Sequence, residues 1–165
     1  MPRLEATMFA VARTVIYASL FIGLVLIFVP AQILEMSGIA RPATTGAFAI
    51  VGGVVGVLGA ALALWCVAAF ALIGKGTPAP FDPPRRLVTR GPYGYVRNPM
   101  YIGAALALGG AALVYRSPGL LAYLCLFAVA THTFVVLYEE PALRRQFDAE
   151  YAAYCARVRR WLPRL

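Results

Sequence analysis

The sequence predicts an all-α polytopic membrane protein, with about four transmembrane helices and a C-terminal amphipathic helix at the membrane surface. Of its 165 residues, 61% are hydrophobic and 13% are charged, whereas soluble domains are about 45–50% apolar and about 25% charged. The charges are also absent from four long stretches, and in the last part of the chain, where charges return, apolar residues recur at helical spacing. These observations exclude an ordinary soluble enzyme and predict one domain over residues 1–165.

The four uncharged stretches set the transmembrane spans. A spanning helix needs roughly 20 predominantly apolar residues. The second stretch is long enough to tilt and the third is near the short limit. The uncharged stretches cover residues 14–34, 42–74, 98–115 and 117–138, and they predict helices over about 14–31, 46–73, 99–115 and 118–138.

The basic residues predict the orientation of the chain in the membrane. With four spans, the N-terminus, the second loop and the C-terminus lie on one side. All Lys and Arg residues except Arg41 and Arg116 fall on that side, which the positive-inside rule makes cytoplasmic. We therefore expect a multi-pass protein of a bacterial inner membrane. The net charge of +8 then reflects topology and contact with the bilayer rather than binding of nucleic acid.

Small residues form a stripe along the second span. Gly52 and Gly56 form a G-x-x-x-G pair that Gly59 and Ala63 continue. Such stripes allow helix backbones to approach closely in lipid. The partner is either another span of the same chain or a second copy, which would make a homodimer.

The chain has three cysteines, and they are Cys66, Cys125 and Cys155. They include no C-x-x-C pair, and no spacing suggests a metal site. We interpret all three as small hydrophobic residues.

The end of the second loop has the chemistry of an anion site. Asn98 followed by Pro99 is typical of a helix N-cap and first helical position, so the third span begins there. Arg97 lies beside this positive helix end, an arrangement that suits a carboxylate. The alternative is that Arg97 contacts lipid phosphate, and that Tyr93 and Tyr101 belong to an aromatic belt.

Two acids follow the fourth span. Pro141 disfavours helical geometry at the preceding residue, so we expect the helix to kink or stop there. One of Glu139 and Glu140 would point into a pocket while the other meets Arg144 or Arg145. Carboxylates beside a span typically mark function, although a surface acid at a helix exit is the alternative.

His132 lies in the fourth span, seven residues before Glu139 and so on nearly the same helix face. It is a weak candidate for a catalytic base. The alternative is a hydrogen-bonded packing histidine.

The tail has apolar residues at helical spacing, which predicts an amphipathic helix at the headgroup layer that roofs the loop and the last two spans. The apolar positions are Leu143, Phe147, Tyr151, Tyr154, Val158 and Trp161.

Two motifs carry a family resemblance. Gly91-Pro92-Tyr93 precedes the run from Arg97 to Gly103, and Glu139-Glu140 precedes Phe147, Tyr151, Tyr154 and a closing Arg-Trp-Leu-Pro. In this order they resemble the integral-membrane methyltransferases of the isoprenylcysteine carboxyl methyltransferase and phospholipid methyltransferase type. The resemblance covers about residues 85–165, and the first two spans resemble nothing specific.

The resemblance implies S-adenosylmethionine as cofactor, with S-adenosylhomocysteine as product, held on the cytosolic side by residues of about 85–103 and 132–160. The local chemistry agrees: Arg97 suits the methionine carboxylate, Glu139 the ammonium or ribose hydroxyls, and the tyrosines the sulfonium. The implied cofactor-binding residues are Leu87, Val88, Tyr93, Arg97, Asn98, Pro99, Met100, Tyr101, Glu139 and Glu140.

The sequence departs from the family pattern at two positions. Many members have His where this chain has Asn98, and Asn keeps the capping but cannot carry a proton. The isoprenylcysteine branch has an arginine near the substrate carboxylate where this chain has Val135. The second departure disfavours a prenylcysteine substrate and leaves methyl transfer intact.

We therefore expect methyl transfer to a lipophilic acceptor that enters laterally from the bilayer, such as a carboxylate or another small or lipid acceptor. An aminophospholipid headgroup is the alternative acceptor. A non-catalytic membrane partner that kept the fold is the alternative class. A transporter would need polar residues along the spans, where this chain has only His132 and scattered Ser and Thr.

Overall fold

A computed structural model describes residues 12, 16, 19–39, 42, 46–70 and 86–164. The predicted start of the first span at residue 14, and the predicted end of the second at residue 73, lie outside these residues. Within them the chain forms helices and no strand, with one isolated parallel bridge between Val96 and Arg159. The predicted all-α class is therefore confirmed.

Five helices are described, and α4 continues into α5 through a π-helical turn at Val135–Glu139. Three helical stretches are long and apolar enough to cross a membrane: α1, α2 and the continuous stretch Pro118–Arg157. Helix α3 is apolar but shorter. The helices are α1 at Ser19–Met36, α2 at Ala47–Ala69, α3 at Pro99–Tyr115, α4 at Pro118–Phe134 and α5 at Glu140–Arg157.

Two prolines lie inside helices that continue through them. Proline removes a backbone donor and its ring clashes with the carbonyl four residues earlier. In both cases a π-helical segment comes directly before, at Ile22–Phe28 and at Val135–Glu139. There the backbone bonds to the carbonyl five residues back, as from Glu140 N to Val135 O. The wider turn explains how α1 passes Pro30 to reach Met36, beyond its predicted end at residue 31.

The prediction that the last span kinks or stops at Pro141 is wrong. Glu139 and Glu140 both have α-helical dihedral angles, and the helix continues to Arg157. The break lies instead at Asp148, whose φ of 38° and ψ of −112° are not helical. Pro141 is the second residue of α5, and the π-helical turn at Val135–Glu139 precedes it.

The chain packs as two compact units. The helical unit contains Phe21–Ala63 and Met100–Thr133, and the loop unit contains Leu64–Pro99 and Phe134–Leu165. The core of the helical unit consists of Ala104, Leu108 and Phe127, with Tyr123 packed against it. The Tyr123 hydroxyl donates to the carbonyl of Val25, inside the π-helical segment of α1.

Backbone contact between α2 and α3 defines the helical unit. A Cβ on Gly59 would lie 2.5 Å from the backbone nitrogen of Ala107, and a Cβ on Gly110 would lie 2.5 Å from the carbonyl oxygen of Gly52. Only glycine allows this approach. The small-residue stripe of α2 is therefore covered by α3 of the same chain. The structure thus shows the first of the two alternatives, another span of the same chain, and the homodimer stays a prediction.

The loop unit has its own apolar cluster. Tyr151, Tyr154 and Val158 are buried there, with Leu87 and Phe147 packed against them. The helical spacing thus identified side chains that do gather together. The structure does not show one continuous amphipathic helix, however. Helix α5 breaks at Asp148 and ends at Arg157, and its buried tyrosines pack with Leu87 of the loop.

The glycine contact makes a direct prediction about stability. We expect Gly59→Ala and Gly110→Ala each to destabilise the protein by about 1–3 kcal/mol, because the added methyl group meets backbone that cannot move aside. Gly53→Ala is the matched control on the same helix, since no atom lies within 4 Å of its Cβ position. Apparent melting temperatures in detergent measure the effect, and equal melting temperatures for all three variants would contradict the packing.

Candidate functional site

The loop that enters α3 is fixed by a buried tyrosine. A 3₁₀ turn spans Gly91–Gly94, and Gly91 takes a φ of 63° that other residues rarely adopt. Tyr93 is only 6% exposed. Its ring stands edge-on to Phe70 with centroids 5.3 Å apart, and its side chain hydrogen-bonds with Cys66 of α2. These contacts attach the loop to the end of α2.

A second set of bonds ties the same loop to the end of the chain. Residues 158–161, which follow α5, are here called the C-terminal strap. The backbone nitrogen of Arg97 donates to the carbonyl of Arg159 over 2.9 Å. The side-chain amide of Asn98 donates to the carbonyl of Arg160 over 3.3 Å. One turn earlier, the Tyr154 hydroxyl donates to the carbonyl of Tyr93 over 2.7 Å. The loop therefore takes its shape from the C-terminal segment as well as from α2.

A buried ion-pair cluster lies beneath these backbone bonds. Glu140 is 6% exposed. Arg160 donates to it through Nε at 2.7 Å and Nη2 at 3.0 Å, so this pair is bidentate. Nη2 of Arg97 lies 3.3 Å from the same carboxylate. We call Arg97, Glu140 and Arg160 the Glu140 cluster. Arg97 also donates through Nη1 to the thiol of Cys155.

The cluster keeps Glu140 ionised. Glu140 lies beyond Tyr138, where the uncharged span ends. Burial by itself would raise the pKa of its carboxyl. The hydrogen bond from Arg160 and the charges of Arg97, Arg160 and Arg144 outweigh that effect and hold the pKa below its ordinary value of 4.5. Two guanidinium groups and one carboxylate leave one positive charge in excess.

The cluster fits an anionic group of the kind that the resemblance implies. Nε of Arg97 is buried and has no hydrogen-bond acceptor within the described part of the chain. The Arg160 side chain is 31% exposed, so the excess charge is reachable from outside. Arg97 lies two residues before Pro99, the first residue of α3, and the N-terminal end of a helix favours an anion. A carboxylate suits these donors.

The structure brings several predicted site residues together in the loop unit. Val88, Asn98 and Pro99 are buried there, and Leu87 packs against the tyrosine cluster. Asn98 directly precedes α3, as predicted from its pairing with Pro99.

The other predicted residues lie elsewhere or have different neighbours. Met100 and Tyr101 belong to the helical unit, where Tyr101 packs against its core. Glu139 is half-buried in the π-helical turn. Tyr93 has its ring packed against Phe70, so its contact with a sulfonium remains a prediction.

His132 is exposed on α4. The expectation that His132 and Glu139 lie on nearly the same helix face assumed an unbroken α-helix. The π-helical turn at Val135–Glu139 changes the register between them, so the seven-residue spacing no longer supports that face. Its catalytic role remains a prediction.

Arg160 is the residue that sequence reasoning missed. The expected partners of the acids were the adjacent Arg144 and Arg145, but Glu140 forms its ion pairs with Arg97 and Arg160. The available signal was the closing Arg-Trp-Leu-Pro motif, which begins at Arg160.

The described part of the chain combines apolar helices long enough to cross a membrane with a charged cluster formed by the loop and the tail. The sequence model of the phospholipid methyltransferase family matches residues 47–150. The chain belongs to that family. Comparison with curated proteins and with solved structures finds no match.

The family match differs in extent from the resemblance seen in the sequence. It begins at residue 47 and so includes the whole of α2, which had resembled nothing specific. It ends at residue 150, before the C-terminal strap. The loop, α3 and the two acids lie inside it.

Glu140 makes a prediction about stability and pH. A carboxyl whose pKa is lowered by folding stabilises the folded state above its ordinary pKa, and this contribution is lost as the pH falls through the lowered value. At pH 7 we expect Glu140→Gln to destabilise by about 2–3 kcal/mol, because two guanidinium groups lose their shared acceptor.

The difference between wild type and Glu140→Gln should begin to shrink as the pH falls below 4.5, where the unfolded chain takes up the proton first, and it should be lost only below the lowered pKa of Glu140 in the folded protein. Melting temperatures between pH 7 and pH 3 test this. Glu150→Gln, an exposed acid on the same helix, is the control. A difference that stays constant with pH would show that the ion pairs do not carry the effect.

Proposed function

We propose that this protein transfers a methyl group from S-adenosylmethionine to a lipophilic acceptor at the cytosolic face of a membrane. Membership of the phospholipid methyltransferase family carries this proposal. The match includes the loop from Leu87 to Asn98, the start of α3 and the pair Glu139 and Glu140. The three long apolar helices support a membrane location.

The described residues suggest how the cofactor would be held. Arg97 offers a buried donor, and the Glu140 cluster an excess positive charge, to the methionine carboxylate, beside the first turn of α3. Glu139 suits the ammonium group or the ribose hydroxyls. Glu140 serves as the counter-ion of the arginines rather than as a direct cofactor ligand, because it is buried and paired.

S-adenosylmethionine supplies a methyl group on a positively charged sulfur. Its transfer is an in-line displacement that disperses a charge already present, so the protein contributes alignment and exclusion of water. Neither task needs a strong resident base. A loop fixed by Tyr93 on one side and by the strap on the other suits alignment, because its backbone has few ways to move.

The acceptor that we propose is the amine of a phospholipid headgroup. The description of the matched family supports it. Val135 also supports it, since it is fully buried and places no charge where the isoprenylcysteine branch has an arginine. The neutral headgroup nitrogen forms a bond to the methyl carbon as the methyl–sulfur bond breaks, and it then releases one proton.

Cofactor binding is the first test. Calorimetry with S-adenosylhomocysteine on the detergent-purified protein should give saturable binding. Glu139→Gln should weaken it roughly tenfold or more, the loss expected when a charged hydrogen bond is removed. Glu150→Gln, on the exposed face of α5, should leave it unchanged. A folded protein that binds no S-adenosylhomocysteine would favour the non-catalytic membrane partner.

The acceptor has its own test. Protein in vesicles of phosphatidylethanolamine and phosphatidylglycerol should transfer labelled methyl from S-adenosylmethionine into the extracted lipid. Vesicles in which phosphatidylcholine replaces phosphatidylethanolamine should give no labelled lipid, because no free amine is present. Cofactor binding without lipid labelling in either vesicle would refute the amine and leave a carboxylate or another acceptor.

A further inference from the structure

The C-terminal strap is joined to the loop by its backbone and to Glu140 by a side chain. Carbonyls of two successive strap residues accept bonds from Arg97 and Asn98. The side chain of Arg160 binds Glu140 through two bonds, and Glu140 in turn binds Arg97. The interactions therefore form a closed ring from the strap through α5 to the loop and back to the strap.

We propose that Arg160 is a positioning residue, which holds Arg97 and Asn98 at the start of α3 by way of Glu140 and the C-terminal strap. This inference concerns residues beyond the family match, which ends at residue 150. The expected effect of Arg160 on cofactor affinity rests on the proposed function. The expected effect of Arg160 on the position of the loop does not rest on it.

Three features give Arg160 this role rather than Arg157 or Arg164. Arg160 donates to a carboxylate on another part of the chain, 20 residues away. The side chains of Arg157 and Arg164 donate instead to backbone carbonyls of the nearby Ala153 and Ala156. Arg160 also presents its backbone carbonyl to Asn98, so one residue orients both the strap and the carboxylate.

The bond from Arg160 to Glu140 also fixes the carboxylate oxygen that Arg97 contacts. With both guanidinium groups in place, Glu140 is held at two oxygens by Arg160 and shares Oε1 with Arg97. Without Arg160, the carboxylate is free to rotate and its second oxygen loses its donor. Arg97 would then lose its fixed partner, although no residue in contact with it had been changed.

Limited proteolysis tests the loop directly, without any cofactor. Arg97 is 12% exposed at its side chain, whereas Arg90 is exposed. In the full-length protein in detergent, we expect Arg160→Gln to raise trypsin cleavage after Arg97 about tenfold or more relative to cleavage after Arg90. Arg157→Gln should leave this ratio unchanged. An unchanged ratio in Arg160→Gln would overturn the proposal.

Affinity for S-adenosylhomocysteine separates positioning from a general loss of stability. If Arg160 acts through Glu140, each of Arg160→Gln and Glu140→Gln should weaken binding about tenfold, and the double variant should be no weaker than Glu140→Gln alone. Losses that multiply would show that Arg160 acts by another route and would overturn the proposal. Arg160→Lys keeps the charge with one fewer matched donor and should fall between wild type and Arg160→Gln. This variant also serves if Arg160→Gln does not fold.

The two readouts distinguish the possible failures. If no variant, including the wild type, binds S-adenosylhomocysteine, the proposed function fails while the cleavage ratio still decides the role of Arg160. If the wild type binds and Arg160→Gln changes neither affinity nor cleavage, the proposed function stands and the positioning role fails.

Discussion

The carboxylate of Glu140 constrains three parts of the chain at once. A buried charge is costly unless it is paired and fully hydrogen-bonded. Within the described part of the chain, Glu140 forms ion pairs with Arg97 from the loop and Arg160 from the C-terminal strap. Its position at the start of α5 therefore requires the loop and the strap to converge on the same point. The backbone bonds from Arg97 and Asn98 to the strap follow from that convergence.

The Glu140 cluster bears both on the packing of the chain and on the proposed binding of an anionic group. An arginine pair that shares one carboxylate is left with excess positive charge, and one of its members is partly exposed. The structural role of Glu140 and a binding role for its arginines are thus compatible. Glu140 fixes their geometry, while Arg97 keeps a buried donor and Arg160 keeps exposed surface. A site of this kind is rigid because its counter-ion belongs to the fold.

The helices show two further ways in which the chain meets local constraints. π-Helical segments directly before Pro30 and Pro141 let both helices continue through a residue that normally ends them. Glycines on α2 and α3 bring two backbones into direct contact. Where lipid offers no hydrophobic drive between helices, close packing of this kind supplies the attraction. Both features are local, and neither depends on the charged cluster.

Much of the fold could be predicted from the sequence, because uncharged length and small-residue spacing act locally. The start of α3 at Pro99 and the involvement of Gly52 and Gly59 in close packing are examples. The break at Asp148 could not be predicted, since the apolar residues keep their helical spacing from Phe147 to Tyr151 across it.

The sequence indicated which residues belong to the candidate site better than it indicated which of them contact one another. Arg97 contacts Glu140, and Asn98 contacts the strap at Arg160. Their role in holding a cofactor stays a prediction. Arg144 or Arg145 was expected to meet one of the two acids, and the contact between Glu140 and Arg160 was not predicted, because a contact across 20 residues has no local signature. The spacing of His132 and Glu139 failed for a related reason: it assumed a regular helix where the structure has a wider turn.

Hydrogen–deuterium exchange at the backbone of Arg97 tests the central claim most directly. Its N–H donates to the carbonyl of Arg159, so it reports whether the loop and strap are joined. If Glu140 holds them together, Glu140→Gln should speed exchange in peptides covering 93–98 and 158–161 roughly tenfold or more, with exchange along α3 unchanged. Exchange at Arg97 that is as slow in Glu140→Gln as in the wild type would contradict the account.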